Sequence, residues 1–409
     1  MIKSNIYKSK KEKAWNIVLV YLMIYFSSSF SLSVYSGTTR ILLYAVLFAL
    51  IALNYYFYKG YLYVKSGVVF LLPLIGVLSY LFNGEDIKQF ELLLVYYLVS
   101  FAFVLYLDFD KWCEAYLSII QFIAFLSIIL YFTSITLPSF NEALPTTVNS
   151  GGLSTKTIFF CLAPIYGRNL GIFWEPGAFQ IYLMIAIIIE YFNYGLCRRG
   201  QLAVLLVADI LTFSTTAFVS IGFLIIIIII NEKIENRLKK EIGVSTLVVI
   251  LIILFIVYIT EKAQIDIYTT VFGKIDRYQA NPTSDGTAAV RFNSMIKGFE
   301  VFVQNPILGV GKTKLNDIFI SYYRHSMTTC TFINWFAVSG IFFGTLMIVG
   351  VYKFLNLLIK RKFVVWLSLC LIFILISSEN MAENPSFIIL VLYGFLGYHN
   401  NIHMKKIEC

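Results

Sequence analysis

Apolar runs of about 16–22 residues follow one another along nearly the whole of this 409-residue chain, and a run of that length is what an α-helix needs to cross the hydrocarbon core of a bilayer. They lie near residues 15–34, 40–58, 66–82, 90–107, 114–135, 176–194, 201–213, 216–230, 243–260, 328–351, 363–378 and 386–402. Such a chain reads as an all-α, polytopic transmembrane helix bundle of about twelve spans, a single integral membrane domain over 1–409. The least regular stretch is 201–230. It would make one tilted helix were it not for the polar TFSTT at 212–216, which favours two short spans with a break on the outer side.

Charge sets the orientation. Hydrophobic residues make up 59% of the chain and charged ones 13%, against about 25% charged in soluble domains. The net charge of +9 therefore has to be read loop by loop, because basic residues beside spans fix sidedness, and nucleic acid is not an expected partner. An even number of spans puts both termini on one side. With the N-terminus inside, 20 of the 32 Lys and Arg fall in inner segments, and MIKSNIYKSKKEKAW leads into a retained first span. Of the other twelve, Arg40 and Lys88 lie at short outer loops, and ten lie in two long outer loops, 136–175 and 261–327, which translocate largely regardless of charge. The six cysteines (113, 161, 197, 330, 370, 409) show no CxxC or His/Cys clustering, so they read as packing residues, with no metal or cofactor implied.

Long loops rich in Phe, Trp, Tyr and spaced arginines are where function is to be sought. The first ends in RNLGIFWEPGAFQ, Arg168 to Gln180. Pro176 suits a first helical turn and Glu175 the positive end of that helix, so Glu-Pro by itself marks a helix start, as Asn384-Pro385 does with Asn384 as N-cap. A helix start does not account for Arg168 beside Phe173 and Trp174, which set a guanidinium against an aromatic shelf at the membrane surface.

In the second loop Ala288, Phe292, Met295, Phe299 and Phe302 recur at helical spacing. They predict an amphipathic helix from about 287 to 304, its apolar face on the bilayer or on another span and Arg291 in its first turn. GVGKT at 309–313 is not a phosphate-binding loop: position 306 is Pro where that loop needs Gly, so the glycines predict a tight turn ending the helix. His325, beside Arg324 in SYYRHSMTT, returns to the membrane just before the tenth span, and an imidazole there could serve as a general base. Glu190 and Asp209, within or near the ends of spans, read most simply as ties between helices.

RNLGIFWEPGAFQIYL, LTFSTT, VRFNSMIKGFEVFVQNPILGVG and RHSMTTCTFINWFAVSGIFFG resemble, in order and spacing, the bacterial O-antigen repeat-unit polymerases of the Wzy type and the related O-antigen ligases, over roughly residues 160–350. The resemblance implies a bacterial cytoplasmic-membrane glycosyltransferase working at the outer face on polyprenyl-pyrophosphate-linked oligosaccharides, with no cofactor. It also implies a flippase and a chain-length regulator as working partners. Arg168 and Arg291 match the family's loop arginines, which hold pyrophosphate and sugar; Arg324, Phe173 and Trp174 join them as substrate contacts, and His325 and Glu175 are the candidates for handling the acceptor. Ligases commonly carry His-Asn where this chain has His325-Ser326, and the Glu-Pro after an aromatic favours the polymerase. The rivals are a ligase that moves polymer onto lipid A core and, from another class, a lipid-linked oligosaccharide flippase. Against the flippase, no matching halves are visible in the chain.

Overall fold

The structure, a computed structural model, describes residues 2–32, 37–58, 67–149, 154–158, 160–165, 167–234, 287–323 and 329–396. The helices are α1 (Ile2–Ser28), α2 (Gly37–Tyr58), α3 (Val68–Phe82), α4 (Ile87–Tyr106), α5 (Phe109–Thr136), α6 (Pro138–Ala143), α7 (Pro176–Tyr194), α8 (Arg199–Ile210) and α9 (Thr215–Ile234). They continue as α10 (Thr287–Gln304), α11 (Lys312–Tyr323), α12 (Thr331–Leu358), α13 (Lys362–Ile376) and α14 (Pro385–Leu396). Helices cover eleven of the twelve predicted runs, and the run at 243–260 lies outside the described residues. Among the described residues six helices are long and apolar enough to cross a membrane: most of α2, all of α4, α5, α7 and α12, and most of α9. As predicted, 201–230 breaks in two at 211–214, and α8 is only about 18 Å long at 1.5 Å per residue.

The purely helical expectation misses a small sheet in the first long loop. Strands β1 (Thr146–Val148), β2 (Ser154–Ile158) and β3 (Cys161–Leu162) pair antiparallel in that order, Thr147 opposite Thr155 and Thr157 opposite Leu162. β-Branched residues fill the first two strands, which suits a pleated surface. Cys113, Cys161 and Cys330 are buried free thiols and Cys370 is an exposed one. Cys197 departs from the packing reading, being disulfide-bonded.

The chain divides into two compact units. The first comprises residues 1–119, 293–357 and 379–402. In it α4 packs on α2 and α14, and α1 on α2. Lipid offers no hydrophobic drive for helices to associate, so shape and hydrogen bonds hold them. Trp112, Phe109 and Tyr393 interlock, with ring centroids 5.3–6.1 Å apart, and the Tyr393 hydroxyl donates to Leu107 O at 2.7 Å. Lys111 pairs with Glu12 at 2.7 Å, joining two segments expected on the inner side. At the other end Asn384 donates to Ser28 Oγ at 2.9 Å and caps α14 by accepting from Ser386 N at 2.9 Å, the predicted role. Helix α10 forms over the predicted residues, with Ser294, Gly298 and Val301 buried and Phe292, Met295 and Phe299 exposed, so its apolar face is turned outward.

Helix α12 is interrupted at Gly340, whose φ of 80° and ψ of −177° are not helical. The turn after α10 fills the gap. Val310 N donates to Ala337 O at 2.9 Å, Gly311 N to Val338 O at 3.0 Å, and Ile341 N to Pro306 O at 2.8 Å. Groups that would otherwise lack helical partners are thereby satisfied, as non-helical backbone at membrane depth requires. A Cβ at Gly340 would stand 2.0 Å from Ile307 O, and one at Gly309 2.4 Å from Val338 O, so the predicted tight turn is also a close backbone approach.

Gly340→Ala should therefore lower the melting temperature of the purified protein in detergent, the left-handed φ alone costing about 1–3 kcal/mol before the clash with Ile307 is counted. Gly200→Ala, in open space on α8, should not, and equal stability of the two variants would contradict the strapped-helix account.

The second unit comprises residues 120–292, 358–378 and 403–409. Helix α7, buried along almost its whole length, is its axis, with α8, α9 and α13 packed on it and α9 against α13. A cluster of Tyr131, Ile210, Leu211 and Phe213 closes the end where α8 stops.

Candidate functional site

The RNLGIFWEPG stretch is built onto the α8–α9 break. Ending α8 at Ile210 frees carbonyls, and the stretch supplies donors: Asn169 N to Leu211 O at 2.9 Å and Arg168 Nε to Thr212 O at 3.0 Å. Asn169 is fully buried. Its Nδ2 donates to Ser127 Oγ at 3.0 Å and its Oδ1 accepts from Gly171 N at 3.2 Å, while the Tyr131 hydroxyl donates to Gly167 O at 3.0 Å. Phe213 carries a φ of 44°, strain at the tip of the break that these bonds hold in place. Arg168 is half-buried, and its Nε is held by Thr212 O.

The aromatic shelf is corrected. Phe173 is fully buried, stacked on Phe179 at 5.2 Å and tilted on Tyr182 at 4.6 Å, so its ring staples the loop to α7 instead of meeting a ligand. Trp174 is half-exposed. Glu175 is the exposed, extended N-cap residue of α7 with Pro176 in the first turn; its side chain makes no capping bond and stays directed to its surroundings. Arg168, Trp174 and Glu175 thus lie in one short stretch leading into α7. Arg291, half-buried, is the fifth residue of α10. Arg324 and His325 lie outside the described residues.

Of the two intramembrane carboxylates, Glu190 is a tie as expected: it accepts from Gln121 Nε2 at 3.2 Å and lies 3.9 Å from the Arg198 guanidinium. Asp209 is not. Both of its oxygens are buried with no hydrogen-bond partner among the described residues.

A second constellation, in the first unit, escaped the sequence reading. Lys312, the lysine of GVGKT, pairs with Glu383 at 2.6 Å, and Glu383 also accepts from the Tyr80 hydroxyl. Arg40 bonds the Tyr96 side chain and adds its charge to the same group. Glu85 accepts from Thr313 N at 2.8 Å and from the Thr313 hydroxyl, anchoring the start of α11. Burial works against charge here, yet the cations and the Tyr80 hydroxyl outweigh it and hold the Glu383 carboxyl below its ordinary range, while Glu383 in turn raises the Lys312 ammonium against its own burial. Both stay charged at neutral pH. Arg40, one of two basic residues expected at short outer loops, was the one legible signal; Lys312 and Glu383 lie some 270 and 340 positions away in sequence.

Residues 201–333 match the family model described as O-antigen ligase. That segment, about a third of the chain, is similar to the O-antigen ligase family. No curated protein and no solved structure matches the chain. The matched segment takes in the α8–α9 break, α10, the turn at 305–311 and Lys312; Arg168, Trp174 and Glu175 precede it.

The Lys312–Glu383 pair predicts a pH signature. A carboxyl depressed in the folded state stabilises above its unfolded pKa, and that stabilisation fades as pH falls through the folded value. Glu383→Gln should melt several degrees below the parent at pH 7, and the two should converge in acid once the parent carboxyl is protonated. A gap that persists unchanged into acid would contradict the charge pairing.

Proposed function

We propose that the protein polymerises polyprenyl-pyrophosphate-linked oligosaccharide repeat units into surface polysaccharide, O-antigen or capsule, by glycosyl transfer on the outer face of the cytoplasmic membrane. The observation that carries this reading is the Arg168 guanidinium, held by Thr212 O at a helix break inside the segment that matches the superfamily. A lipid-linked pyrophosphate already contains the activation for transfer, so the enzyme has to hold and stabilise its leaving group. Arginine suits this, being permanently charged and able to bind phosphate through two parallel hydrogen bonds.

In this reading Arg168 and Arg291 face one outward cavity and bind the pyrophosphate, with Arg324 assisting. The half-exposed Trp174 stacks on sugar, and Glu175 orients the acceptor hydroxyl. His325 takes the acceptor proton as the hydroxyl oxygen attacks the anomeric carbon. The glycosidic bond to pyrophosphate breaks, its electron pair leaves with the polyprenyl pyrophosphate, and the arginines stabilise the charge that develops there. A flippase delivering repeats and a chain-length regulator are the partners this activity calls for.

The ligase reading is favoured by the similarity of residues 201–333 to the O-antigen ligase family, and polysaccharide gels separate the two. Deleting the protein should leave one repeat per carrier lipid; full-length polymer stranded on its carrier would identify a ligase. In the complemented strain, Arg168→Ala should abolish polymer and Arg168→Lys restore less than about a tenth of it, since lysine lacks the planar fork. Normal polymer from well-expressed Arg168→Ala would contradict the site.

A further inference from the structure

Asp209 and two other buried polar side chains, on helices packed with α8, lack hydrogen-bond partners among the described residues. The others are Gln180 on α7, lacking partners at both its amide oxygen and its nitrogen, and Ser220 on α9; all three residues are 0% exposed. Their positions agree. Asp209 is the penultimate residue of α8 and lies on its buried stripe with Leu202, Leu205 and Ala208. Ser220 lies on the buried stripe of α9 with Ala217, Leu224 and Ile227. Helix α7 packs against both helices. The short 195–198 and 211–214 connections make α7, α8 and α9 successive antiparallel neighbours, and the bond from Asn169 N to Leu211 O ties the stretch leading into α7 to the end of α8. At 1.5 Å per residue, Gln180 lies about 6 Å below the start of α7, Ser220 about 8 Å below the start of α9 and Asp209 about 2 Å below the end of α8.

We infer that Gln180, Asp209 and Ser220 form a binding site for one alkali cation, of the size of Na+, beneath the α8–α9 break. Buried polar groups are nearly always satisfied, and an ionised carboxylate inside a membrane protein requires a positive partner. No Lys, Arg or His bonds Asp209 among the described residues. An amide oxygen, a hydroxyl oxygen and a single carboxylate form a hard, oxygen-only donor set with one negative charge, which a monovalent cation neutralises. Ca2+ draws on more carboxylates, Mg2+ keeps its water shell, and zinc takes nitrogen or sulfur donors. Interrupted membrane helices are also where membrane proteins seat such ions. The site lies directly under the arginine strap: Asp209 O accepts from Thr212 Oγ1 at 2.7 Å and from Thr212 N at 3.1 Å, and Thr212 O holds Arg168. A bound cation would stiffen the turn that carries Arg168. The site itself stands whether the protein is a polymerase or a ligase.

The test uses purified full-length protein in lipid nanodiscs, at constant ionic strength with N-methyl-D-glucamine replacing Na+. Saturable binding of radioactive 22Na+ is read by scintillation proximity, and the melting temperature is followed across the same titration. The parent should bind saturably and melt higher as Na+ rises. Asp209→Asn should bind no 22Na+ and show a melting temperature indifferent to Na+, and Ser220→Ala, a milder change less prone to misfold, should weaken binding about tenfold or more. Absence of saturable 22Na+ binding by the parent, or undiminished binding by both variants, would overturn the site. A melting temperature that follows pH and ignores Na+ would also overturn it, by naming the proton as the occupant. Neither readout needs catalysis, so failure here is distinct from failure of the polymerase reading.

Discussion

A peptide group inside a bilayer must find its hydrogen-bond partner within the protein, and the two interrupted helices of this chain show how that demand shapes it. At Gly340 in α12 and at 211–214 between α8 and α9, carbonyls that a continuous helix would have satisfied are taken up by segments distant in sequence: 306–311 in the first unit, Arg168 and Asn169 in the second. These segments are the ones whose residues look chemical. The hydrogen bonds through which GVGKT and RNLGIFWEPG repair a broken helix also fix where Lys312 and Arg168 stand.

The charges follow the same logic. Lys312, Glu383, Arg40 and Tyr80 come from four separate parts of the first unit and leave no isolated charge among them. Removing one partner leaves the rest uncompensated, which is why such pairs are costly to break even when they add little net stability. Glu190 with Gln121 and Arg198 is the corresponding arrangement in the second unit. Asp209 breaks the pattern, and that exception motivates the cation site.

Much of the helical framework was legible because it depends on local pattern. Apolar run length foretold eleven helices, five apolar residues at helical spacing foretold α10, TFSTT foretold the break, and Asn384-Pro385 foretold a cap. What the sequence withheld depends on long-range pairing. Nothing local says that Arg168 will find Thr212 O, that Lys312 will meet Glu383, or that Phe173 will turn inward onto Phe179 and Tyr182. The small sheet was missed because its strands are two to five residues long, too short for an alternating pattern to register. Asp209 misled for a related reason: a carboxylate near a helix end implies a partner, but not whether that partner is a side chain.

The central claim is that a guanidinium strapped to a broken helix stabilises a pyrophosphate leaving group, with all the driving force residing in the lipid-linked donor. The most direct measurement reconstitutes the purified protein in proteoliposomes with a polyprenyl-pyrophosphate-linked oligosaccharide as the sole substrate. Lipid-linked product is then resolved by repeat number, with neither ATP nor nucleotide-sugar added. The account predicts a ladder of two or more repeats from the parent protein and none from Arg168→Ala in the same lipid. A ladder that requires ATP or nucleotide-sugar, or one that Arg168→Ala makes equally well, would contradict it.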